Sequence, residues 1–440
     1  MSAMVAGAAR AAQLLQHFRS LAEAAQPRHD LPAGAMNALQ ALPLPKRKQE
    51  NWRYTPLPVL YEQLWEPKPA PADGMLEVGQ VDALALNGTD GFRIVLHNGV
   101  WLPALSRVPD GVSVVPLDQA LTAGDAAVGS ASGAGAHLFA ALNAAMAHDG
   151  VLLRVAAGLE QESELEILHI NSGLAAGWLV QPRVVLVLED GAQLNLSEQY
   201  LGADESDDSA GLYNGVTEIL LGQGARLDHA RLQNEAGQHR HLSALHLSQQ
   251  ADSVYTGTTL AMGGLWSRSE FHVRFAAPGA HCALNGFYLS GGQQSHDLQL
   301  NIVHGVPGCS STERFKGILS GRGKAVFDGI ILVQPDAQKT DARLSNDNLL
   351  LSRQAEIDTK PQLEIYADDV QCSHGTTVGQ IDTEMLFYLR SRGIPRDQAV
   401  NMVCKGFAGE ILQTCRSEVL QQRAEALLDR QLAGVLAGMA

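Results

Sequence analysis

Cys372 and His374 stand two residues apart, with Ser373 between them. On an extended strand, residues i and i+2 project from the same face, so a thiolate and an imidazole placed this way converge within reach of one metal ion. Cysteine is the usual ligand of iron–sulfur iron. Histidine can replace it, which weakens the anionic hold on the cluster and alters its potential. Two ligands do not saturate a tetrahedral iron or zinc, so a site built here must be shared with another chain, be transient, or both. The same two residues are also compatible with a plain packing role, a buried thiol beside a hydrogen-bonded imidazole.

Other reactive side chains give less. His229, His239, His241 and His246 lie close in sequence. His239 and His241 would share one face of a strand, where they could bind a metal or simply line a solvated outer surface. Asp336, Asp341 and Asp347 with Arg343 could line a groove of the kind that cleaves polysaccharides, but Asp residues also favour turns and ladder ends. Cys404 and Cys415 are spaced by 11 on one helical stripe with Ala408 and Ile411, which points to packing. Cys309 in a turn and Cys282 in a strand have no role that spacing assigns. Gly321-Arg322-Gly323-Lys324-Ala325 resembles a phosphate loop only superficially, because Ile318 and Ala325 occupy the places a P-loop needs for glycine and for Ser or Thr. No G-x-S-x-G elbow, H-E-x-x-H helix or Rossmann glycine set occurs.

The chain that must position these residues has 440 residues, with 32 Lys+Arg against 47 Asp+Glu, a formal charge of −15. That balance argues against a nucleic-acid or anionic-membrane partner, which needs a clustered cationic footprint. No apolar run approaches the length of a membrane span, and Met1–Arg19 lacks the layout of a signal peptide, so a cytoplasmic protein is expected. The five cysteines are odd in number and never form a C-x-x-C pair, which speaks against a disulfide framework. Only 18% of residues are charged while glycines number 43, a composition of many tight turns between short strands.

Three regions follow. Residues 1–85 read as an N-terminal helix, Ala8–Ala25, followed by a proline-rich link. Residues 86–380 read as a β core with one helical insert near 137–147. Within it four similar turns begin at Gly191, Gly224, Gly279 and Gly308, at intervals of 33, 55 and 29. If the 55 covers two units, the period is about 30 residues, in the range of stacked supersecondary repeats. Short strands without intervening helices then favour a β-solenoid over a doubly wound sheet, with a β-sandwich as the alternative. Residues 381–440 read as a helical domain. Thr383 caps its first helix, which stops at Gly393; Ile394-Pro395 starts a second, and a third runs over about 417–436. This small bundle is expected to cap the open end of the solenoid.

A dense series of motifs then resembles one family. It comprises Glu313-Arg314-Phe315-Lys316-Gly317, residues Gly323 to Gly329, Gln338 to Ala342, Leu344 to Leu351, Lys360 to Val370, Cys372-Ser373-His374-Gly375, Gly379-Gln380, Phe387 to Ile394 and Gly406-Phe407. Together they resemble the SufB/SufD family of iron–sulfur cluster assembly proteins. Upstream, Glu50-Asn51-Trp52-Arg53-Tyr54-Thr55 and Phe139 to Asn143 before Asp149-Gly150 are similar to its SufD branch.

The resemblance implies a right-handed parallel β-helix core flanked by helical ends and a non-catalytic scaffold role. It also implies pairing with SufB, binding of the SufC ATPase through the C-terminal helices, and a transient iron–sulfur cluster at the SufB–SufD interface. His374 first and Cys372 second are then the cluster-binding residues. Nucleotide is expected on SufC rather than on this chain; a flavin on the complex is possible with no residue assigned to it, and the isolated chain can be a homodimer. Outside this reading stand a β-helix carbohydrate-active enzyme and a purely structural homodimer.

Overall fold

The computed structural model describes residues 2–25, 30–68, 76–86, 91–133, 137–203, 209–235 and 237–437. From Arg183 onward the chain alternates between two parallel sheets, giving one strand to each in turn. The first sheet runs from Gly150–Val155 to Glu356–Ile365, and the second from Leu165–Ile170 to Gln371–Gln380. This is a β-solenoid of about eight turns. Residues in register stack from coil to coil, so each interior position belongs to a column running along the axis.

The turn glycines account for the period. Gly191, Gly224, Gly279 and Gly308 all have φ between 66° and 80°, two residues before a strand of the second sheet. The 55-residue interval does contain a missing corner: Asp252, φ 57°, occupies the same place before Val254–Ala261. Lys339, φ 64°, does so before Asp341–Leu350. The left-handed conformation is required at the corner, and Asp tolerates it better than most residues. The Gly321-Arg322-Gly323-Lys324 stretch is another corner, with Gly321 at φ 59° and Lys324 paired with Glu356 at 2.6 Å.

The inward columns are mainly apolar, with Leu194, Leu227, Tyr255, Cys282, Leu284, Phe315, Ala342 and Leu344 in one continuous core. Outward residues are also apolar over large areas, and helices cover them. The helix Leu138–Ala145, within the expected insert, packs with Phe18, Trp52 and Trp65 of the N-terminal region against Leu179, Leu212, Leu242 and Trp266.

The C-terminal helices do not cap the solenoid end as the sequence reading expected. Arg396–Leu412 and Glu418–Ala437 lie along its side, burying Val400, Cys404, Ala408, Ile411 and Leu428 against outward-facing Leu232, Leu260, Phe287, Leu289 and Ile318. The physical reason is that this row of outward apolar side chains needs cover more than the coil end does. Two smaller corrections concern caps and stripes. Asp382 rather than Thr383 caps the helix Thr383–Ser391, accepting from the Glu384 amide at 2.8 Å. Cys415 lies beyond the end of its helix, buried in the following turn.

Cys404 is fully buried, and burial pushes its thiol up to about 12. Cys404→Ser places a hydroxyl in that apolar seat and is expected to lower stability by about 1–3 kcal/mol. Thermal denaturation checks this, and a variant as stable as the parent would contradict the packing role.

Candidate functional site

The solenoid ends on two uncovered strands. Among the described residues Glu356–Ile365 is laddered only to Lys324–Val333 and Gln371–Gln380 only to Asp341–Leu350, so each presents a backbone edge ten residues long with no described strand on it. Long, unprotected edges template pairing with another chain. Ile365, Tyr366 and Val378 are exposed beside them.

Cys372 and His374 lie on the second of these strands. Their register partners, Ala342 and Leu344, belong to the core, so both side chains project from the inward face. Two residues apart along the strand, their Cα atoms are roughly 6.7 Å from each other. That face is inward only in orientation, because no further coil covers it: His374 is exposed and Cys372 half-buried. The sequence reading of one shared strand face therefore holds; of the packing alternative, a buried thiol beside a hydrogen-bonded imidazole, the thiol does pack against the core while the imidazole is exposed. The His374 side chain forms no hydrogen bond or ion pair among the described residues. Burial pushes the Cys372 thiol up from its ordinary value, with Asp341 adding to the rise. A metal must therefore displace a proton from it, and loading at Cys372 should strengthen with pH.

Among the described residues no group of three or more His, Cys, Asp or Glu is arranged to hold a metal ion. Cys372 and His374 offer two donors of the type that bind iron, fewer than a tetrahedral ion needs.

Just inside the opening the coil is polar. The Asn346 amide donates to the Tyr288 hydroxyl at 3.1 Å, the Asn348 amide donates to Asn346 Oδ1 at 2.7 Å, and the Thr359 hydroxyl donates to Asn346 Oδ1 at 2.9 Å. Two coils in from His374, in the same column beyond Leu344, is Glu313, roughly 10 Å away at the usual strand spacing. Glu313 is fully buried, and burial pushes its carboxyl up to about 8. The Ser311 hydroxyl offsets part of this, but it also engages His304 Nε2 at 3.0 Å.

The other expected clusters resolve differently. His239 immediately precedes the strand that begins at Arg240, and its side chain and that of His241 turn to the same carboxylate. Neither is solvated: both are buried and flank Glu235, His239 Nε2 at 3.3 Å and His241 Nδ1 at 3.0 Å. His229 is also interior, with Nε2 3.2 Å from Glu198, which additionally accepts from Arg231 Nε at 2.9 Å. Burial acts to raise the Glu198 carboxyl, yet Arg231, His169 and His229 outweigh it and hold the group well below its usual range. These are internal ion networks, invisible in a sequence pattern where charged residues read as outward. His246 faces outward from its coil but is buried as well, stacked on His272 with ring centroids 4.6 Å apart. Asp341 and Arg343 pair with each other on an exposed face, and Asp347 accepts from the Thr377 hydroxyl at 2.6 Å, the ladder-end roles expected of them.

A second exposed apolar surface escaped the sequence reading. The helix Thr383–Ser391 buries none of its residues and exposes Met385, Phe387 and Tyr388, with Met402 exposed on the next helix. The signal was present in the run Phe387-Tyr388-Leu389, which core packing explains equally well in a sequence. No described helix is long and apolar enough to cross a membrane.

Residues 170–407 match the family described as "SUF system FeS cluster assembly, SufBD core domain", and residues 14–167 match "SufBD protein N-terminal region". The chain is 32% identical over 434 residues to the iron–sulfur cluster assembly protein SufD of Escherichia coli, covering 98% of this chain and 99% of that one. It is 31% identical to an iron–sulfur cluster assembly SufBD family protein of Synechocystis, covering 89% and 88%. It is 28% identical to the chloroplastic protein ABCI7 of Arabidopsis thaliana, covering 93% and 89%.

Proposed function

The chain belongs to the SufBD family of iron–sulfur cluster assembly proteins, and from that premise we propose that it is a SufD-type scaffold subunit, without catalytic chemistry of its own, in a cytoplasmic complex with SufB and SufC. The observation that carries this reading is the uncovered coil end, where two free strand edges surround Cys372 and His374. A SufB solenoid set against those edges would satisfy their backbone groups and contribute the missing ligands to a nascent cluster. A site completed only by two chains can also release its cargo when they separate, as transfer to a carrier requires.

The exposed Met385, Phe387, Tyr388 and Met402 surface offers the SufC ATPase a docking face. Because the helices Arg396–Leu412 and Glu418–Ala437 are packed rigidly along the solenoid wall, a pull on that face would be transmitted to the coil. ATP-driven closure of SufC could thereby rearrange the SufB–SufD edge. A flavin on the assembly has no residue here that identifies it. The two outside readings find less support. The acidic residues near Asp341 pair locally rather than lining a groove, and a structural homodimer would leave the thiol and imidazole at the edge without a purpose.

Co-expression with SufB and SufC followed by size exclusion tests the proposal. One complex containing all three chains is expected; a chain that elutes alone would overturn it.

A further inference from the structure

The Glu50–Thr55 segment takes no part in the site above, yet it is tied to the partner-facing edge. Its inner end is anchored on the outward face of the first sheet. Trp52 is buried, with the Arg268 guanidinium over its indole at 3.7 Å from the ring centroid. The Thr55 hydroxyl donates to Asp297 Oδ2 at 2.6 Å and accepts from Arg268 Nη1 at 3.0 Å. Arg268 also donates to Asp297 at 2.7 Å and to Glu270 at 2.6 Å. A cation stacked on an aromatic face and shared between two buried carboxylates makes this a stiff anchor.

From there the register leads outward to the terminal strand, with Glu270, Gln299, Asp328 and Lys360 side by side on successive strands. Gln299 donates to Asp297 at 2.7 Å and Gln362 donates to Asp328 at 3.1 Å. Glu50 closes the path by pairing with Lys360, whose ammonium lies 3.8 Å from Asp328. The segment is thus fixed three strands inside the sheet at Trp52 and Thr55, and reaches over to hold the last strand at Glu50. Among the described residues that strand, Glu356–Ile365, has a ladder neighbour on one side only, and its other side-chain ties, Lys324 to Glu356, Gln362 to Asp328 and Thr359 to Asn346, all lead back into the chain's own coils.

We propose that Glu50–Thr55 is a clasp that positions the terminal strand for pairing with a second solenoid chain, Glu50 and Lys360 being positioning residues for that edge. This rests on the reading that the uncovered edge takes SufB. The clasp lowers the cost of ordering an edge strand when the partner arrives, because the strand is already held in its bound conformation.

Amide hydrogen exchange on the isolated chain and capture of SufB test it together, using Glu50→Gln, Lys360→Met and the double variant. Each single substitution is expected to speed exchange across Glu356–Ile365 about 2- to 5-fold, the range available to an exposed charge pair. Exchange in the interior strand Arg240–Gln249 and the thermal midpoint should not move. SufB capture should weaken by a similar factor. The double variant should be no worse than the poorer single one, because both substitutions remove the same interaction. Unchanged exchange in Glu356–Ile365, or additive effects in the double variant, would overturn the clasp. Faster exchange with undiminished capture would overturn its positioning role. A parent chain that fails to capture SufB would instead remove the pairing reading, leaving the exchange rates to judge the clasp alone.

Discussion

His374→Ala is expected to lower iron–sulfur cluster assembly in cells at least about tenfold while SufB and SufC still co-purify with the variant. The imidazole is exposed and forms no bond within the described chain, so its loss should change stability by no more than about 0.5 kcal/mol. On the proposed reading its contribution is the lone pair it offers at the uncovered edge. Removing a direct ligand should cost at least what loss of an outer-shell partner costs, roughly 10- to 100-fold. His374→Cys keeps a donor at the same place and should recover part of the activity. Cys372→Ser should do less harm than His374→Ala if the imidazole is the leading ligand, since the half-buried thiol must first lose its proton. The measurement is the activity of an iron–sulfur enzyme in cells whose only SufD-type chain is the variant. Full activity with His374→Ala would take the residue out of the site.

The solenoid was legible because its corners impose a backbone conformation that glycine supplies, at Gly191, Gly224, Gly279 and Gly308. It was only partly legible because Asp252 and Lys339 adopt the same conformation without the same residue type. Strands such as Leu212–Leu221 and Arg240–Gln249 lack a polar outer face for a different reason. Most coil strands are buried on both faces, by the interior column and by helices outside, as with Leu232 and Leu289 against the C-terminal helices. The sharing of one face by Cys372 and His374 followed from strand geometry alone. Their exposure did not, since it depends on where the helices Arg396–Leu412 and Glu418–Ala437 settle, and amphipathic faces do not say which wall they cover. The interior charges were hidden altogether. Glu198, Arg231 and Glu313 look like solvent-facing residues until the fold turns them inward.

Glu313→Gln is expected to stabilise the protein, and to do so more at pH 8 than at pH 5. Glu313 is fully buried and holds its proton up to about pH 8, against an ordinary value of 4.5. Between those values the folded chain keeps a proton that the unfolded chain releases. More protons are then bound in the native state, so this group's contribution to stability is intact below about pH 4.5 and declines as pH rises toward 8. At pH 7 the deficit is about 3 kcal/mol, from 1.36 kcal/mol for each pH unit above the unfolded value. Glutamine has nearly the same shape as the protonated acid and cannot ionise, which removes the deficit. Other buried carboxylates act in the opposite sense: burial opposes ionisation of Glu198 and Glu270, but their cationic partners prevail and hold both low. Stability from these is lost as pH falls, so the parent's overall profile mixes the two kinds. Subtracting parent from variant isolates Glu313. Equilibrium urea unfolding of both chains at pH 5 and pH 8 supplies the difference. A gain that is the same at both values would mean that Glu313 does not titrate in this range, and a loss at both would mean that its carboxyl has a partner in the coil that an amide cannot replace.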